Sequence, residues 1–319
     1  MKKSKFISAL AISSAFLIPA MESSAALFSD NFDVNSSATY TVNQDADTEV
    51  VFSYDYSAMG IPSAPNSGGT TLGVRFRANY GDLTAAAAAI NISPTGAIFT
   101  GDYTLRYDLW MNVNGPFPGG GTGSTEFNTG GVGNSGLSVQ KSSGGANGPW
   151  FAVDGDGGSG IDFRAYRGTA LEPGTSAAYA AADQGTINRR NADNTYYQTA
   201  FPGGQQAPAL QQSNFAQQNG ALKAGTIGFV WRNVEISKVG TTVTWKIDGL
   251  LIATLDNATF GGSNIFVGHW DAFSSIADNA ELNFSVVDNL RVEVIPEPSM
   301  LAMGVLGAAG LFFAARRKK

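Results

Sequence analysis

Residues 103–113 read YTLRYDLWMNV, and this stretch decides the fold class. Its odd-numbered positions are apolar or aromatic, whereas its even-numbered positions include Arg106, Asp108 and Asn112. Successive side chains of a β-strand point to opposite faces, so this alternation predicts a strand with one face in a core. Only Trp110 interrupts the polar face.

The same period of two recurs on both sides of this stretch. Such runs cover residues 50–56, 72–76, 227–231, 243–247, 251–255, 265–267 and 282–294. Asp248 and Gly249, between two of these runs, are typical of a tight hairpin turn. Residues 114–160 and 171–220 lack the pattern, so we expect long irregular excursions there. No helix of domain-building length is indicated, and the sequence predicts an all-β, two-sheet sandwich.

The first residues predict a secretory signal peptide. Lys2, Lys3 and Lys5 precede an apolar run over residues 6–18, and the small residues at 23–26 offer a site for signal peptidase. The apolar run is too short for a membrane span. We therefore expect residues 1–26 to direct export and to be removed.

The last residues, 295–319, have three parts. A Pro-Glu-Pro triplet is followed by an uncharged apolar run over 299–315 and by a basic end. The triplet is Pro296, Glu297 and Pro298, and the basic end includes Arg316 and Arg317. A run of about 17 apolar residues is at the short end of what crosses a bilayer as a helix, and the basic end is expected to stay in the cytoplasm.

This order of elements resembles the PEP-CTERM sorting signal of exported bacterial proteins. The resemblance implies that an exosortase-type enzyme recognises Pro296, Glu297 and Pro298. It also implies transient anchoring in the inner membrane, followed by release to the cell surface or extracellular matrix. A permanent single-span anchor is the alternative. Either way, residues 27–294 form the predicted folded domain.

Composition limits what this domain can bind. The 319-residue chain has a net charge of −6, and removal of both ends would leave the domain more acidic. An acidic surface repels nucleic acid, so we expect no nucleic-acid partner. The chain has no cysteine, so its stability must come from a large core or from bound ions.

The stretch 231–249 (WRNVEISKVGTTVTWKIDG) resembles the hairpin of concanavalin A-like (laminin G-like) jelly rolls. Residues 28–32 (FSDNF) resemble the opening strand of those domains, and residues 288–292 (DNLRV) resemble the closing strand. The resemblance implies a two-sheet jelly roll whose two ends lie side by side. We also expect the apolar residues of 282–294 to form one buried face, with Arg291 on the other side.

The search for catalytic residues is mostly negative. His269 is the single histidine, and we expect it to form hydrogen bonds beside Trp270 at a strand end. Jelly-roll glucanases carry two Glu residues around an Asp on one strand, and no such motif occurs here. The sequence therefore indicates a protein that is not an enzyme, although distant carboxylates can still meet in a fold.

A glycine-rich loop, DGDGGSGID at 154–162, is the candidate metal site. Asp154, Asp156 and Asp162 can turn several oxygens toward one Ca²⁺ ion. The alternative is a tight turn in which the carboxylates accept backbone N–H groups. Asp271, Asp278 and Asp288 form a second acidic group with the same two interpretations.

Aromatic side chains on the irregular segments are the candidate carbohydrate contacts. Sugar rings stack on exposed aromatic faces, which favours Trp150, Tyr196, Tyr197 and Trp270. Trp231 and Trp245 are assigned to the core. Packing beneath the long excursions is the alternative role for the first four.

Three functions are compatible with these observations. The first is a non-enzymatic, surface-released protein that binds carbohydrate, with exopolysaccharide as its partner. The second is a structural surface protein without a specific ligand. The third is an exported polysaccharide hydrolase or lyase.

Overall fold

The strands pair into two antiparallel sheets in a computed structural model of the chain. The structure describes residues 26–81, 87–181 and 193–296. The strands are β1 (Ala26–Asp30), β2 (Tyr40–Gln44), β3 (Thr48–Asp55), β4 (Leu72–Ala78), β5 (Ala88–Pro94), β6 (Tyr103–Asn112), β7 (Glu126–Asn134), β8 (Pro149–Asp154), β9 (Phe163–Arg167), β10 (Ala170–Leu171), β11 (Arg232–Val239), β12 (Thr242–Ile247), β13 (Leu250–Leu255), β14 (Asn264–Asp271) and β15 (Phe284–Val294). The predicted all-β, two-sheet architecture is confirmed.

The strand order shows how distant parts of the chain combine. The eight-stranded sheet has the order β13-β12-β11-β6-β15-β4-β3, with β1 paired to β15. The seven-stranded sheet has the order β10-β9-β8-β7-β14-β5-β2. Neighbours in both sheets are often far apart in sequence, which is typical of a jelly-roll-like sandwich.

The core occupies three layers. The main apolar cluster lies between the sheets and includes Leu105, Tyr107 and Leu109 of β6 together with Val267 of β14. A second cluster covers the outer face of the eight-stranded sheet, and a third covers the outer face of the seven-stranded sheet. Both outer faces are therefore partly buried under the connecting segments.

The tight hairpin predicted at Asp248 and Gly249 is confirmed. Ile247 of β12 pairs directly with Leu250 of β13, which leaves two turn residues. Both turn residues have positive φ, 51° for Asp248 and 78° for Gly249. This conformation suits Gly and is tolerated by Asp, so the local sequence specifies the turn.

The expectation of an unbroken irregular excursion over 114–160 is wrong, because β7 and β8 lie within it. β7 reads EFNTGGVGN and lacks the usual apolar alternation. Its glycines are needed for close packing, since a Cβ at Gly130 would lie 2.7 Å from the Tyr107 hydroxyl and one at Gly131 would lie 2.5 Å from Phe266. The sequence pattern does not reveal this strand, because its glycines have no side chains and leave room for the neighbouring rings.

The expectation that residues 282–294 present one buried face is also wrong. Phe284 and Val286 pack in the outer cluster of the eight-stranded sheet, whereas Val287, Leu290 and Val292 pack between the sheets. The register of β15 against β6 shifts between residues 288 and 291, and Asn289 has a φ of 52°. This bulge lets apolar residues on both sides of β15 be buried.

Helices are short in the described part of the chain. Two α-helices of six residues each, α1 (Thr195–Ala200) and α2 (Ala209–Asn214), lie in the long excursion between β10 and β11. Across residues 26–81, 87–181 and 193–296, no helix has the length and apolarity to cross a membrane. The predicted signal peptide up to residue 25, and the apolar run 299–315, lie outside the described residues.

Candidate functional site

A cavity of about 440 Å³ opens on the outer face of the eight-stranded sheet. We call it the aromatic groove, and it is lined by Gly60, Pro62, Pro65, Trp110, Gln206, Pro208, Phe229, Val230 and Trp231. Its volume lies within the range of small-molecule binding sites, and its lining combines aromatic faces with one amide side chain. The groove is therefore the candidate site for a ligand.

The three rings of the groove come from β6 and from the segment that leads into its neighbouring strand β11. Trp110 points outward from β6, and Trp231 immediately precedes β11, the next strand in the sheet. The Trp110 and Trp231 ring centroids are 5.8 Å apart, and the Trp110 and Phe229 centroids are 6.5 Å apart. Phe229 has a φ of 58°, and its backbone N–H donates to the Met111 carbonyl at 3.0 Å. This bond anchors the Phe229 ring beside β6.

The indole N–H groups of the groove are used within the protein. Trp231 Nε1 donates to the Pro62 carbonyl at 2.7 Å, and Trp110 Nε1 donates to Asn112 Oδ1 at 3.2 Å. The rings are recessed, with exposed fractions of 3 % for Trp110, 5 % for Phe229 and 9 % for Trp231. They consequently offer apolar surface at the bottom of the cavity and no hydrogen-bond donor.

The rim of the groove is stiff. Pro62 and Pro65 are exposed and fix the backbone of one wall, and Pro208 also lines the groove. Gly60 has a φ of 73°, and a Cβ there would lie 3.0 Å from Pro208 Cβ. Gln206 is exposed and supplies the polar side chain of the lining. A preformed rim of this kind lowers the entropic cost of binding.

A buried carboxylate pair lies beside the groove. Asp108 precedes Trp110 by two residues on the outer face of β6, and Asp288 of β15 pairs with it directly across the two strands. Asp108 accepts hydrogen bonds from Asn66 Nδ2 at 2.9 Å and Asn289 Nδ2 at 3.0 Å. Burial raises the pKa of Asp288 to about 7, and the neighbouring charge of Asp108 adds to the rise.

This carboxylate pair fastens the groove wall to the sheet. Tyr56 Oη donates to Asp288 Oδ2 at 3.1 Å, and the Asn66 backbone N–H donates to Asp108 Oδ2 at 3.3 Å. The exposed fractions of Asp108 and Asp288 are 1 % and 0 %. Neither carboxylate reaches the cavity, so their role in this structure is to hold the segment that carries Pro62 and Pro65.

The expectation that Trp150 and Trp270 lie on irregular segments is wrong. Trp150 lies on β8 and Trp270 on β14, with exposed fractions of 0 % and 2 %. Their ring centroids are 5.6 Å apart, and Trp150 stacks on Tyr166 at 4.0 Å. Their faces are covered by other rings, because the outer face of the seven-stranded sheet is packed beneath a connecting segment.

Tyr196 and Tyr197 lie next to each other on α1, away from the two tryptophans in sequence and in packing. Tyr197 is buried against Phe163, with ring centroids 4.6 Å apart. Tyr196 is half-buried, and its hydroxyl donates to the Leu251 carbonyl at 3.0 Å. The structure therefore gives both tyrosines packing contacts with the sandwich, and it does not bring them into one site with Trp150 and Trp270.

The aspartates of the glycine-rich loop accept backbone N–H groups. Asp154 accepts from Gly157 N at 2.7 Å and from Ser159 N at 3.1 Å. Burial raises the pKa of Asp154 well above its usual range, and the nearby charge of Asp162 adds to the rise. The turn predicted as the alternative to calcium is thus observed.

Asp156 also forms hydrogen bonds that hold the glycine-rich loop. Its carboxylate accepts from the Ser124 hydroxyl at 2.7 Å and from Gly158 N at 2.6 Å, and burial raises its pKa to about 7. Within the described residues, no group of three His, Cys, Asp or Glu side chains is placed to hold a metal ion. Calcium binding by Asp154, Asp156 and Asp162 stays a prediction.

His269 forms the hydrogen bonds that the sequence predicts, within a buried network. Its Nδ1 lies 3.0 Å from Ser285 Oγ, and its Nε2 bonds to Glu126. Asn283 Nδ2 donates to the other Glu126 oxygen at 2.7 Å. Burial lowers the pKa of His269 to about 3 and raises that of Glu126. Because all these atoms lie between the sheets, no substrate reaches them in this structure.

Of the predicted processing residues, the structure describes only Pro296. The Ile295 backbone N–H donates to the Asp102 carbonyl at 3.0 Å, so the chain stays attached to the sandwich up to the start of the triplet. Glu297, Pro298, Arg316 and Arg317 lie outside the described residues. Their role as a sorting signal stays a prediction.

The groove residues were available in the sequence but were not selected. Trp110 is the one apolar residue on the polar face of β6, which is the signal of an outward-facing ring. The sequence assigns Trp231 to the core, and the structure confirms its burial while also placing it in the lining of the groove. No sequence pattern places Phe229 beside them, since its position depends on a left-handed residue after an irregular excursion.

No protein-family model matches the sequence, and no curated protein matches it. Solved structures with a similar arrangement include the metal-free carbohydrate recognition domain of Emp46p, at 10 % identity and a TM-score of 0.41, covering 83 % of this chain and 95 % of that one. The carbohydrate binding module CBM66 from Bacillus subtilis is 11 % identical with a TM-score of 0.34, covering 77 % and 95 %. Alginate lyase AlgAT5 of polysaccharide lyase family 7 is 11 % identical with a TM-score of 0.35, covering 75 % and 84 %. These similarities carry no functional argument at this level.

Proposed function

We propose that this chain is an exported, non-enzymatic carbohydrate-binding protein that holds a segment of polysaccharide in the aromatic groove. The observation that carries the proposal is the cavity of about 440 Å³ with Trp110, Phe229 and Trp231 at its base. The apolar faces of sugar rings pack against aromatic side chains, and Gln206 on the rim can bond a hydroxyl.

A second cavity, also formed by described residues, fits a sugar less well. It measures about 310 Å³ and is lined by Asn147, Gly148, Pro149, Arg167, Gly168, Asn257, Ala258 and Thr259. No aromatic side chain lines it, so a pyranose would find no ring to stack on. We therefore assign the polysaccharide to the aromatic groove.

The predicted ends of the chain give the proposal its cellular setting. The signal peptide would deliver the chain to signal peptidase, and the PEP-CTERM-like tail would hold it briefly in the inner membrane until an exosortase-type enzyme releases it. The domain would then act at the cell surface or in the extracellular matrix, where exopolysaccharide is the partner. The pairing of β1 with β15 brings the first and last described strands together.

Two other functions compete with this proposal. A purely structural surface protein would bind no glycan, and a hydrolase or lyase would shorten its polysaccharide. Paired carboxylates are the minimum for glycoside hydrolysis, and Asp108 and Asp288 are neighbours across β6 and β15. Both are covered by the groove wall, which favours a holding role over catalysis.

The experiment is a glycan array probed with the purified domain, residues 27–294, followed by a reducing-sugar assay on every glycan that binds. We expect binding to a defined set of polysaccharides without release of reducing ends. Absence of binding to any glycan would contradict the proposal in favour of a structural role. Steady release of reducing ends would instead establish a polysaccharide-cleaving enzyme, either a hydrolase or a lyase.

A further inference from the structure

Arg164 stands apart from the other arginines that the structure describes, because it has no carboxylate partner among the described residues. The remaining ones, Arg75, Arg77, Arg106, Arg167, Arg232 and Arg291, each form an ion pair with an aspartate or glutamate. Arg164 is half-buried on the outer face of the seven-stranded sheet. An arginine that is held in place but not neutralised within its own domain remains able to pair with an anion.

Aromatic rings and hydrogen bonds fix the position of this guanidinium. Its central carbon lies 4.3 Å from the ring centroid of Phe127 and 5.7 Å from that of Trp270. Its Nε donates to the Ile161 carbonyl at 2.9 Å and its Nη2 to Ser159 Oγ at 2.8 Å. The group is therefore oriented before any ligand arrives, which reduces the entropy lost on binding.

Two N–H groups of Arg164 remain for a ligand. A guanidinium has five N–H donors, and Nη1 uses one of them toward the Tyr166 hydroxyl at 3.4 Å. Together with the two bonds above, this leaves one donor on each terminal nitrogen. Two donors on a planar fork match the two oxygens of a carboxylate.

An exposed ring stands beside these donors. The centroid of Phe273 lies 5.8 Å from the guanidinium carbon of Arg164, and the side chain is 46 % exposed. The backbone of Phe273 is held on both sides, since its N–H donates to Asp271 at 2.8 Å and its carbonyl accepts from Asn79 at 3.1 Å. Unlike Trp150 and Trp270, this ring is accessible to a pyranose face.

We propose that Arg164 and Phe273 form a subsite for a uronic acid residue of an acidic polysaccharide. The pyranose ring packs on Phe273 while its carboxylate, attached directly to that ring, pairs with the two remaining donors of Arg164. The proposal rests on the proposed carbohydrate-binding function and extends it to a second face, because the aromatic groove lies on the eight-stranded sheet and this subsite on the seven-stranded one. A negatively charged domain that binds a polyanion needs such a local cation.

The test uses a short oligomer of galacturonic acid and its methyl ester as probes, measured by titration calorimetry with the whole domain at fixed salt. The methyl ester keeps the ring and removes the charge. We expect the acid oligomer to bind and Arg164→Gln to weaken its binding about tenfold or more, as loss of a charge-assisted pair implies. Phe273→Ala should weaken it as well, and this exposed residue can be replaced without loss of the fold.

Matched variants separate this subsite from the groove. Arg75→Gln is the control, because Arg75 also lies over an aromatic ring, at 4.4 Å from Tyr54, but is paired with Glu49. Arg75→Gln should leave binding of the acid oligomer unchanged, and Arg164→Gln should leave binding of a neutral glycan in the groove unchanged. Equal binding of the acid and its methyl ester, no binding of the acid oligomer by the unaltered domain, or full binding by Arg164→Gln would overturn the uronic acid subsite. Loss of neutral-glycan binding in Gln206→Ala, with the acid response intact, would show that the two sites act separately.

Discussion

Phe28 of β1 pairs with Val292 of β15 in antiparallel register, and Ala26 pairs with Glu293. The first and last described strands of the domain are thus neighbours, as the sequence resemblance implied. Trp110 faces Val286 near the other end of β15, whereas Tyr103 faces Val294. The aromatic groove therefore lies at the end of the sandwich opposite the point where the tail leaves.

A substitution at Phe284 tests the second apolar cluster, on the outer face of the eight-stranded sheet. The side chain is fully buried in the outer cluster with Trp110 and Val286. Phe284→Ala should lower the free energy of unfolding by about 3 to 5 kcal/mol, because it leaves a cavity in a packed cluster. Arg291→Ala, which removes a half-buried ion pair with Glu293, should cost less than about 1 kcal/mol. Urea denaturation of both variants measures the difference in the free energy of unfolding. Equal stabilities would contradict the assignment of Phe284 to a packed outer cluster.

The buried carboxyls predict an unusual dependence of stability on pH. Burial raises the pKa of Asp271 and Asp288 to about 7, so the folded state holds protons that the unfolded state has already lost. Each raised pKa makes stability fall as pH increases between about 4 and 7. His269, with its pKa lowered to about 3, acts in the opposite sense, but only below its unfolded value of about 6.5.

The window between about pH 6 and pH 8 contains the carboxyl titration and only the last part of the opposing His269 effect. We expect the free energy of unfolding to fall across it by about 1 kcal/mol or more for each carboxyl that titrates. Asp288→Asn should flatten the dependence, since the amide keeps an acceptor for Tyr56 without a charge facing Asp108 and Asp33. The exposed Asp278→Asn is the control. A stability that rises over this window would contradict the assignment.

Chelation tests the calcium prediction for Asp154, Asp156 and Asp162. A bound divalent ion would relieve the repulsion among these buried carboxyls and stabilise only the folded state. Removing Ca²⁺ should then lower the melting temperature, and Asp154→Asn combined with Asp156→Asn should abolish that response. If the melting curve is the same with and without chelator, the loop is a turn closed by its own hydrogen bonds.

Glu297→Ala tests the sorting prediction in the native host. The triplet at 296–298 precedes a short apolar run and a basic end, the order that an exosortase-type enzyme would recognise. The variant should accumulate in the membrane fraction at precursor size, while the unaltered protein is released. A nearby substitution such as Glu293→Gln is the control for general effects on export. Normal release of the Glu297 variant would remove the processing hypothesis.

The sequence predicted those parts of the fold whose signal is local. Alternation over residues 103–113 specified β6, and Asp248-Gly249 specified the turn between β12 and β13. The sequence pattern did not predict β7, because Gly130 and Gly131 make room for Tyr107 and Phe266. No local pattern indicates such a contact. The two-sided burial of β15 was missed because it depends on a bulge at Asn289.

In the candidate site, too, the sequence predicted what depends on local pattern and missed what depends on tertiary packing. Tryptophans were chosen by their place outside the predicted strands, and Trp150 and Trp270 proved to be covered strand residues. Trp110, whose outward direction could be read from the alternation of β6, belongs to the groove instead. The groove also contains Gln206, Phe229 and the prolines, which lie on irregular segments. Tertiary packing brings these residues together, and sequence periodicity does not encode it.

The most direct test of carbohydrate binding in the aromatic groove is calorimetric titration of a glycan selected by the array into four forms of the domain. Gln206→Ala and Trp231→Phe alter the groove, and Gln44→Ala alters an exposed glutamine on β2 of the other sheet. The account predicts that both groove variants weaken binding by about threefold to tenfold, with an unchanged melting temperature for Gln206→Ala, whereas Gln44→Ala binds like the unaltered domain. Unchanged affinity in both groove variants would contradict it.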